Sequence, residues 1–157
     1  MPRGRYSITS PALRAALPGD AASIAECVRE AYSPYIERIG QPPGPMLGNY
    51  DEIVRDHRVF VVDDGEEIIG VLVLIEEESG LLLDNVAVRP SRQGEGIGRR
   101  LMEHAEAEGR RLGYAHLDLY THQRMTENIA LYARHGYEEI ESRVERGYPR
   151  VYMRKRL

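Results

Sequence analysis

The residues most able to do chemistry lie between Val86 and Arg100, VAVRPSRQGEGIGRR, where an apolar strand passes through a glycine-rich loop into an amphipathic helix. The first N–H groups of a helix lack intrahelical partners and carry partial positive charge, so this junction suits a phosphate. Gly94, Gly96 and Gly98 omit the Cβ atoms that would hold a ligand away from those amides. Arg89, Arg92, Arg99 and Arg100 against Glu95 add local positive charge to a chain of net charge -4. Arg99 and Arg100 also oppose the helix dipole, which points to a compensating anion. A plain strand-to-helix turn with surface arginines is the competing reading.

Spacing excludes two familiar phosphate loops. A Walker A loop ends in Gly-Lys-Ser/Thr, and here Gly98 precedes Arg99 and Arg100. The dinucleotide fingerprint GxGxxG would place its third glycine on Arg99 or Leu101. Five scattered histidines and one cysteine show no metal-ligand spacing, so no metal is expected.

LDNVAVRPSRQGEGIGRRLM and the later NIALYARHGYEE resemble, in order and spacing, motifs A and B of the GNAT superfamily of acetyl-coenzyme A dependent N-acetyltransferases. Gln93, Gly96 and Gly98 stand at the Q/R-x-x-G-x-G/A positions of motif A. The resemblance spans residues 81–140 well, and the rest by element order. It implies acetyl-coenzyme A as acetyl donor, with the backbone amides of Gly94, Glu95, Gly96, Ile97, Gly98 and Arg99 at the pyrophosphate and Gln93 also at the cofactor. Val86, Ala87 and Val88 would hold the pantetheine arm, and the Val86 N–H would face the acetyl oxygen.

Tyr132 occupies the motif B tyrosine position, which implies a general acid for the leaving thiolate. Asp84 stands where many relatives carry a glutamate base; an aspartate near its ordinary pKa serves only if desolvated or working through water. Pairing with an arginine is its other reading. Where the family often has asparagine, seven residues before the tyrosine, this chain has Met125; Asn128, four before it, either reaches the cofactor or only starts the helix. For the acceptor, the resemblance nominates Tyr32, Tyr35, Glu37, Arg38 and Tyr148, with Tyr120 and His122 at a strand exit. Both charge signs occur among them, which leaves the acceptor amine open.

The elements that must position these groups follow from pattern. Ala12–Leu17 reads as a strand, and Asp20 can cap a helix to Ala31 with Ile24 and Val28 on its apolar face. Four prolines and three glycines between Ser33 and Gly48 suggest an ordered loop, before a short helix from Asn49 or Tyr50 to His57. Val59–Val62 and Ile68–Ile75 form a hairpin through Asp63, Asp64 and Gly65. Leu81–Val88 is a strand, Ile97–Leu112 a helix stopped by Gly113, and Ala115–Tyr120 a strand parallel to Leu81–Val88. A helix at Glu127–His135 precedes strands Tyr137–Val144 and Arg150–Arg156, turning through Gly147, Tyr148 and Pro149. Pattern alone gives mixed α/β. The resemblance implies the GNAT fold: a mixed, mostly antiparallel sheet of about seven strands with about four helices, splayed between strands 4 and 5.

A chain of 157 residues, 42% hydrophobic and 29% charged, fits one domain, with residues 1–10 as a tail. No apolar run approaches a membrane span, no leader is evident, and the acidic balance argues against nucleic-acid binding. The single cysteine, Cys27, sits among apolar helix positions and suits a reducing cytoplasm. Exposed edges of such sheets often pair, which would make a homodimer. Alternatives to the enzyme are a non-catalytic coenzyme A sensor of the same fold and a ligand-free interaction domain; the latter leaves the loop's charge unexplained.

Overall fold

The computed structural model describes residues 11–157, and the expected tail lies outside them. Its strands and helices, in chain order, are β1 (Ala12–Ala15), α1 (Ala21–Tyr32), α2 (Pro34–Ile39), α3 (Tyr50–Asp56), β2 (Arg58–Asp63), β3 (Ile68–Glu77), β4 (Gly80–Val88), α4 (Ile97–Arg111), β5 (His116–His122), α5 (Thr126–Arg134), β6 (Glu138–Glu145) and β7 (Tyr148–Arg156). The seven strands form one sheet in the order β1-β2-β3-β4-β5-β7-β6. Every neighbouring pair is antiparallel except β4–β5, whose connection runs through α4 and therefore returns the chain in the same direction.

Two apolar layers clamp this sheet. On one face α1 buries Ile24, Cys27 and Val28, at helical spacing, against Val61, Val71, Val73 and Ala87. On the other, Leu101, Met102 and Ala105 of α4 join Tyr132 of α5 over Leu72, Leu83, Leu117 and Leu119. The start of α4 sits hard on β3. A Cβ on Gly70 would stand 2.8 Å from Ile97 Cγ2 and 3.1 Å from Leu101 Cδ1, so glycine there sets how closely the helix approaches. The loop before α4 is thereby held to the sheet.

Four local expectations are corrected. Strand β1 ends at Ala15 rather than Leu17, because Pro18–Asp20 forms a 3-10 turn. Asp20 does not cap α1; its carboxylate accepts from the Leu17 N–H at 2.7 Å and from Arg14 at 2.8 Å, closing that turn instead. The Ser33–Gly48 segment is not all loop: α2 makes a fifth helix, with Pro34 in its first turn, where no N–H is needed, and Gly40 ending it at φ 81°. The last hairpin turns at Arg146 (φ 52°) and Gly147 (φ 81°), so Tyr148 and Pro149 belong to β7.

Candidate active site

Strands β4 and β5 pair only from Leu81–Leu83 to Leu117–Leu119. At that point β4 carries a bulge: Val73 faces Asn85 and Leu74 faces Leu83, which leaves Asp84 as the extra residue. The insertion reverses the side-chain alternation. Leu81 and Leu83 join the α4 layer, whereas beyond the bulge Val86 and Val88 pack on that layer and Ala87 joins the α1 layer. Meanwhile β5 follows β7 as far as His122–Arg150, so the two parallel strands diverge and open a cleft.

The wider end of the cleft is a cavity of about 320 Å³ lined by Val86, Ala87, Val88, Gln93, Gly94, Gly96, Ile97, Gly98, Arg99, Asn128 and Tyr132. Gly94 (φ 87°) and Gly96 (φ 82°) occupy left-handed conformations, and a Cβ on either would meet nothing within 4 Å. Both are glycines for backbone reasons, and open space lies on their Cβ side. The first bond of the α4 ladder runs from the Arg100 N–H to the Gly96 carbonyl, so the Ile97, Gly98 and Arg99 N–H groups lack helical acceptors. These residues can hold a phosphate.

The strand side of this cavity offers a backbone edge. Arg89 N–H bonds to Ile69 O, and alternation along the antiparallel ladder then gives the peptide groups of Ala87 and Asn85 to β3. Those of Val86 and Val88 point away, into the cleft. Tyr32 fits this geometry: its hydroxyl lies 3.1 Å from the Val86 carbonyl and 2.8 Å from Asn85 Oδ1. Asn85 Nδ2 donates to the Tyr50 hydroxyl at 3.2 Å, and Tyr50 donates to Pro45 O at 2.6 Å. This buried chain of polar groups ties β4 to α1, α3 and the loop over the cleft.

The narrow end is a cavity of about 50 Å³, room for a few small atoms, lined among others by Tyr32, Asp84, Tyr120, His122, Asn128, Tyr132, Tyr148 and Arg150. Burial raises the Asp84 carboxyl above the ordinary carboxylate range, partly opposed by the Tyr120 hydroxyl, which donates to Oδ1 at 3.1 Å, and by His57 and Arg150. His122 Nδ1 accepts from the Arg124 N–H at 3.0 Å, which assigns the neutral ring's proton to Nε2, and burial, Arg124 and Arg150 all disfavour the protonated ring. Tyr132 lines both cavities with Tyr32, Val86 and Asn128. Burial pushes its phenol up to about 12, so at neutral pH it retains a proton to give.

A family profile described as the acetyltransferase (GNAT) domain matches residues 55–139, more than half of the chain. The chain belongs to the GNAT acetyltransferase family. It is 33% identical over 90 residues to a mycothiol acetyltransferase of Jonesia denitrificans, a match covering 56% of this chain but only 29% of that protein. Among solved structures, a GCN5-related N-acetyltransferase from Rhodopseudomonas palustris superposes with a TM-score of 0.79 at 19% identity, over 95% of this chain and 97% of the other. The PaiA N-acetyltransferase of Thermoplasma acidophilum, solved with coenzyme A, gives 0.74 at 17% identity, over 95% and 100%. At such identities these two likenesses concern the GNAT fold.

Within this GNAT domain some residues stand elsewhere than the sequence suggested. Glu95 faces Arg92 at 3.0 Å and lines neither cavity. Glu37 and Arg38 line neither cavity, and Arg38 pairs with Glu127 of α5. Tyr35 lies on the wide cavity rather than the narrow one. The positive charge assigned to the loop also shrinks. Arg89 is 3% exposed and bonds Glu26 at 2.8 Å, Glu30 at 2.7 Å and the Ile68 carbonyl at 2.7 Å, facing α1. Arg92 lines the wide cavity but is paired with Asp64 and Glu95, and Arg100 donates to the Pro11 carbonyl. Sequence reasoning missed Asn85 and Arg150. Asn85 carried a signal, a polar amide in the middle of an apolar strand; Arg150 carried none.

Proposed function

We propose that this GNAT acetyltransferase moves an acetyl group from acetyl-coenzyme A to a primary amine of a small molecule, peptide or protein, by direct transfer within a ternary complex. One observation carries the reading: a wide cavity with free helix N–H groups and a narrow cavity with a desolvated carboxylate meet at Tyr132 and the Val86 edge. The donor fits the first. Open Cβ positions at Gly94 and Gly96, the Ile97–Arg99 amides and the Arg99 guanidinium would take the pyrophosphate, with Gln93 and Asn128 at the wall. The free edge at Val86, Ala87 and Val88 would lie along the pantetheine arm.

The chemistry then divides among this chain's own groups. Asp84 takes a proton from the incoming ammonium, directly or through water, and the freed amine attacks the thioester carbon. The Val86 N–H stabilises the charge that develops on the carbonyl oxygen, and a single donor of this kind is worth about 10²–10³ in rate. As the C–N bond forms and the C–S bond breaks, Tyr132 gives its proton to the sulfur, the nitrogen's second proton leaves through water to solvent, and solvent returns a proton to Tyr132. Direct transfer is favoured over a cysteine acyl-enzyme, since Cys27 is buried in the core with its thiol pushed up to about 12. A cytoplasmic setting belongs to the same reading, on that lone reduced cysteine. Homodimer formation through free sheet edges has less support, because β6 exposes Glu138, Glu139, Glu141 and Arg143.

The test is mass spectrometry of enzyme incubated with acetyl-coenzyme A and a panel of primary amines. The expected result is an N-acetylated amine, with the intact protein unchanged in mass when the amine is left out. Binding of acetyl-coenzyme A with no amine acetylated across the panel would overturn the reading in favour of a sensor.

A further inference from the structure

We propose that the acceptor amine carries a carboxylate and that Arg150 receives it, which makes the acceptor a small amino acid. This rests on the acetyltransferase reading above and adds a substrate class to it. Arg150 lies near the start of β7, paired across the sheet with His122, and its side chain forms part of the narrow cavity's wall. The guanidinium carbon stands 4.2 Å from the centroid of the Tyr120 ring and 5.8 Å from that of Tyr148. Two aromatic rings therefore flank the cation.

Its charge is incompletely answered. Nη1 donates to Glu145 at 2.9 Å, but the same carboxylate also takes Arg143 Nε at 3.2 Å and the Tyr152 hydroxyl. Among the described residues the Tyr152 hydroxyl is a further side-chain partner, and no other carboxylate or carbonyl accepts from Arg150. Nη2 faces Gly44 across the cavity, within 3.9 Å of where a Cβ would stand, and the side chain is only 19% exposed, so water satisfies it poorly. A rigid guanidinium fork with open donors at a cavity wall matches a planar carboxylate.

The other end of the cavity matches an ammonium. Tyr120 joins the two ends: its ring carries Arg150, and its hydroxyl donates to Asp84 at 3.1 Å. A carboxylate and a guanidinium one tyrosine apart complement a zwitterion, with its amine at Asp84 and its carboxylate at Arg150. An amine and a carboxylate one tyrosine apart on the same acceptor describe a free amino acid rather than a peptide's chain end, whose two charges lie on different residues.

The experiment compares kcat/KM for a set of free amino acids with that for their neutral amides, in the wild type and in Arg150→Gln and Arg150→Lys. The amide's amine is the more easily deprotonated, so a preference for the acid cannot come from amine basicity. The wild type is expected to favour the acids by at least about tenfold, a charge-assisted pair being worth that much. Arg150→Gln also removes a positive charge near Asp84, which lowers both classes alike, so the readout is their ratio: the variant should erase the preference through KM for the acids and bind acetyl-coenzyme A as before, and Arg150→Lys should fall between. Amides accepted as well as acids by the wild type, or equal loss on both in a variant that still binds acetyl-coenzyme A, would overturn the proposal while leaving the acetyltransferase reading standing. Acetylation of neither class, nor of any other amine, would instead defeat that reading.

Discussion

Tyr120 and Asp84 are joined by a 3.1 Å hydrogen bond at the place where their two strands part. Each is the residue after the last backbone pair, Leu83 with Leu119, and Asp84 is the bulge residue of β4. The bulge thus does two jobs: it turns the β4 peptide edge into the cleft and leaves a carboxylate where burial favours its neutral form.

The pH dependence follows from that bond. In its proposed role as base Asp84 must be ionised, and its carboxyl is raised, so activity should be lost as pH falls through a value above the ordinary carboxylate range. Tyr120→Phe removes a bond that favours the ionised form and should move this acidic limb to higher pH. Asp84→Asn should remove the limb and lower kcat/KM by about 10²–10⁴. The acceptor's own ammonium titrates alike in every variant, so profiles of kcat/KM against pH isolate the enzyme's group; identical profiles in all three proteins would refute the assignment.

Gly96 holds a left-handed φ of 82° at the mouth of the wide cavity. Gly96→Ala should cost about 1–2 kcal/mol of stability, the strain of a Cβ in that conformation, and raise KM for acetyl-coenzyme A as the amides shift. Gly65, at φ 97° in the β2–β3 hairpin, provides the control. Gly65→Ala should lose similar stability by thermal melting, with KM for acetyl-coenzyme A unmoved.

Arg89 and Arg99 look alike in the sequence and should behave differently. Arg89 is buried against Glu26 and Glu30, so Arg89→Met should lower stability by about 2–3 kcal/mol in urea unfolding, the scale of lost charged hydrogen bonds, without changing coenzyme affinity. Arg99 lines the wide cavity, so Arg99→Ala should weaken acetyl-coenzyme A binding by calorimetry and leave stability nearly intact. The reverse pattern would return Arg89 to the phosphate site.

That pair also marks what was legible in the sequence. The strands, the helices other than α2, the parallel β4–β5 pair and the glycine loop rest on local signals, periodicity and turn residues, and all appear in the fold. The bulge at Asp84 was hidden, because LLLDNVAV reads as one unbroken strand and an extra residue shows only against its partner register. The short helix α2 was hidden by its flanking prolines, one of which starts it. Which arginines are free at the cavities, and that Arg150 reaches one at all, depends on side chains brought together from distant segments; no local pattern carries that.

The central claim is that Tyr132 gives the leaving sulfur its proton where the two cavities meet. Amine-dependent thiol release from acetyl-coenzyme A, followed side by side in the wild type and Tyr132→Phe, tests it most directly. The account predicts kcat lower by about 10²-fold in the variant, with KM for acetyl-coenzyme A and the melting temperature close to wild type. Turnover by Tyr132→Phe at the wild-type rate would contradict it.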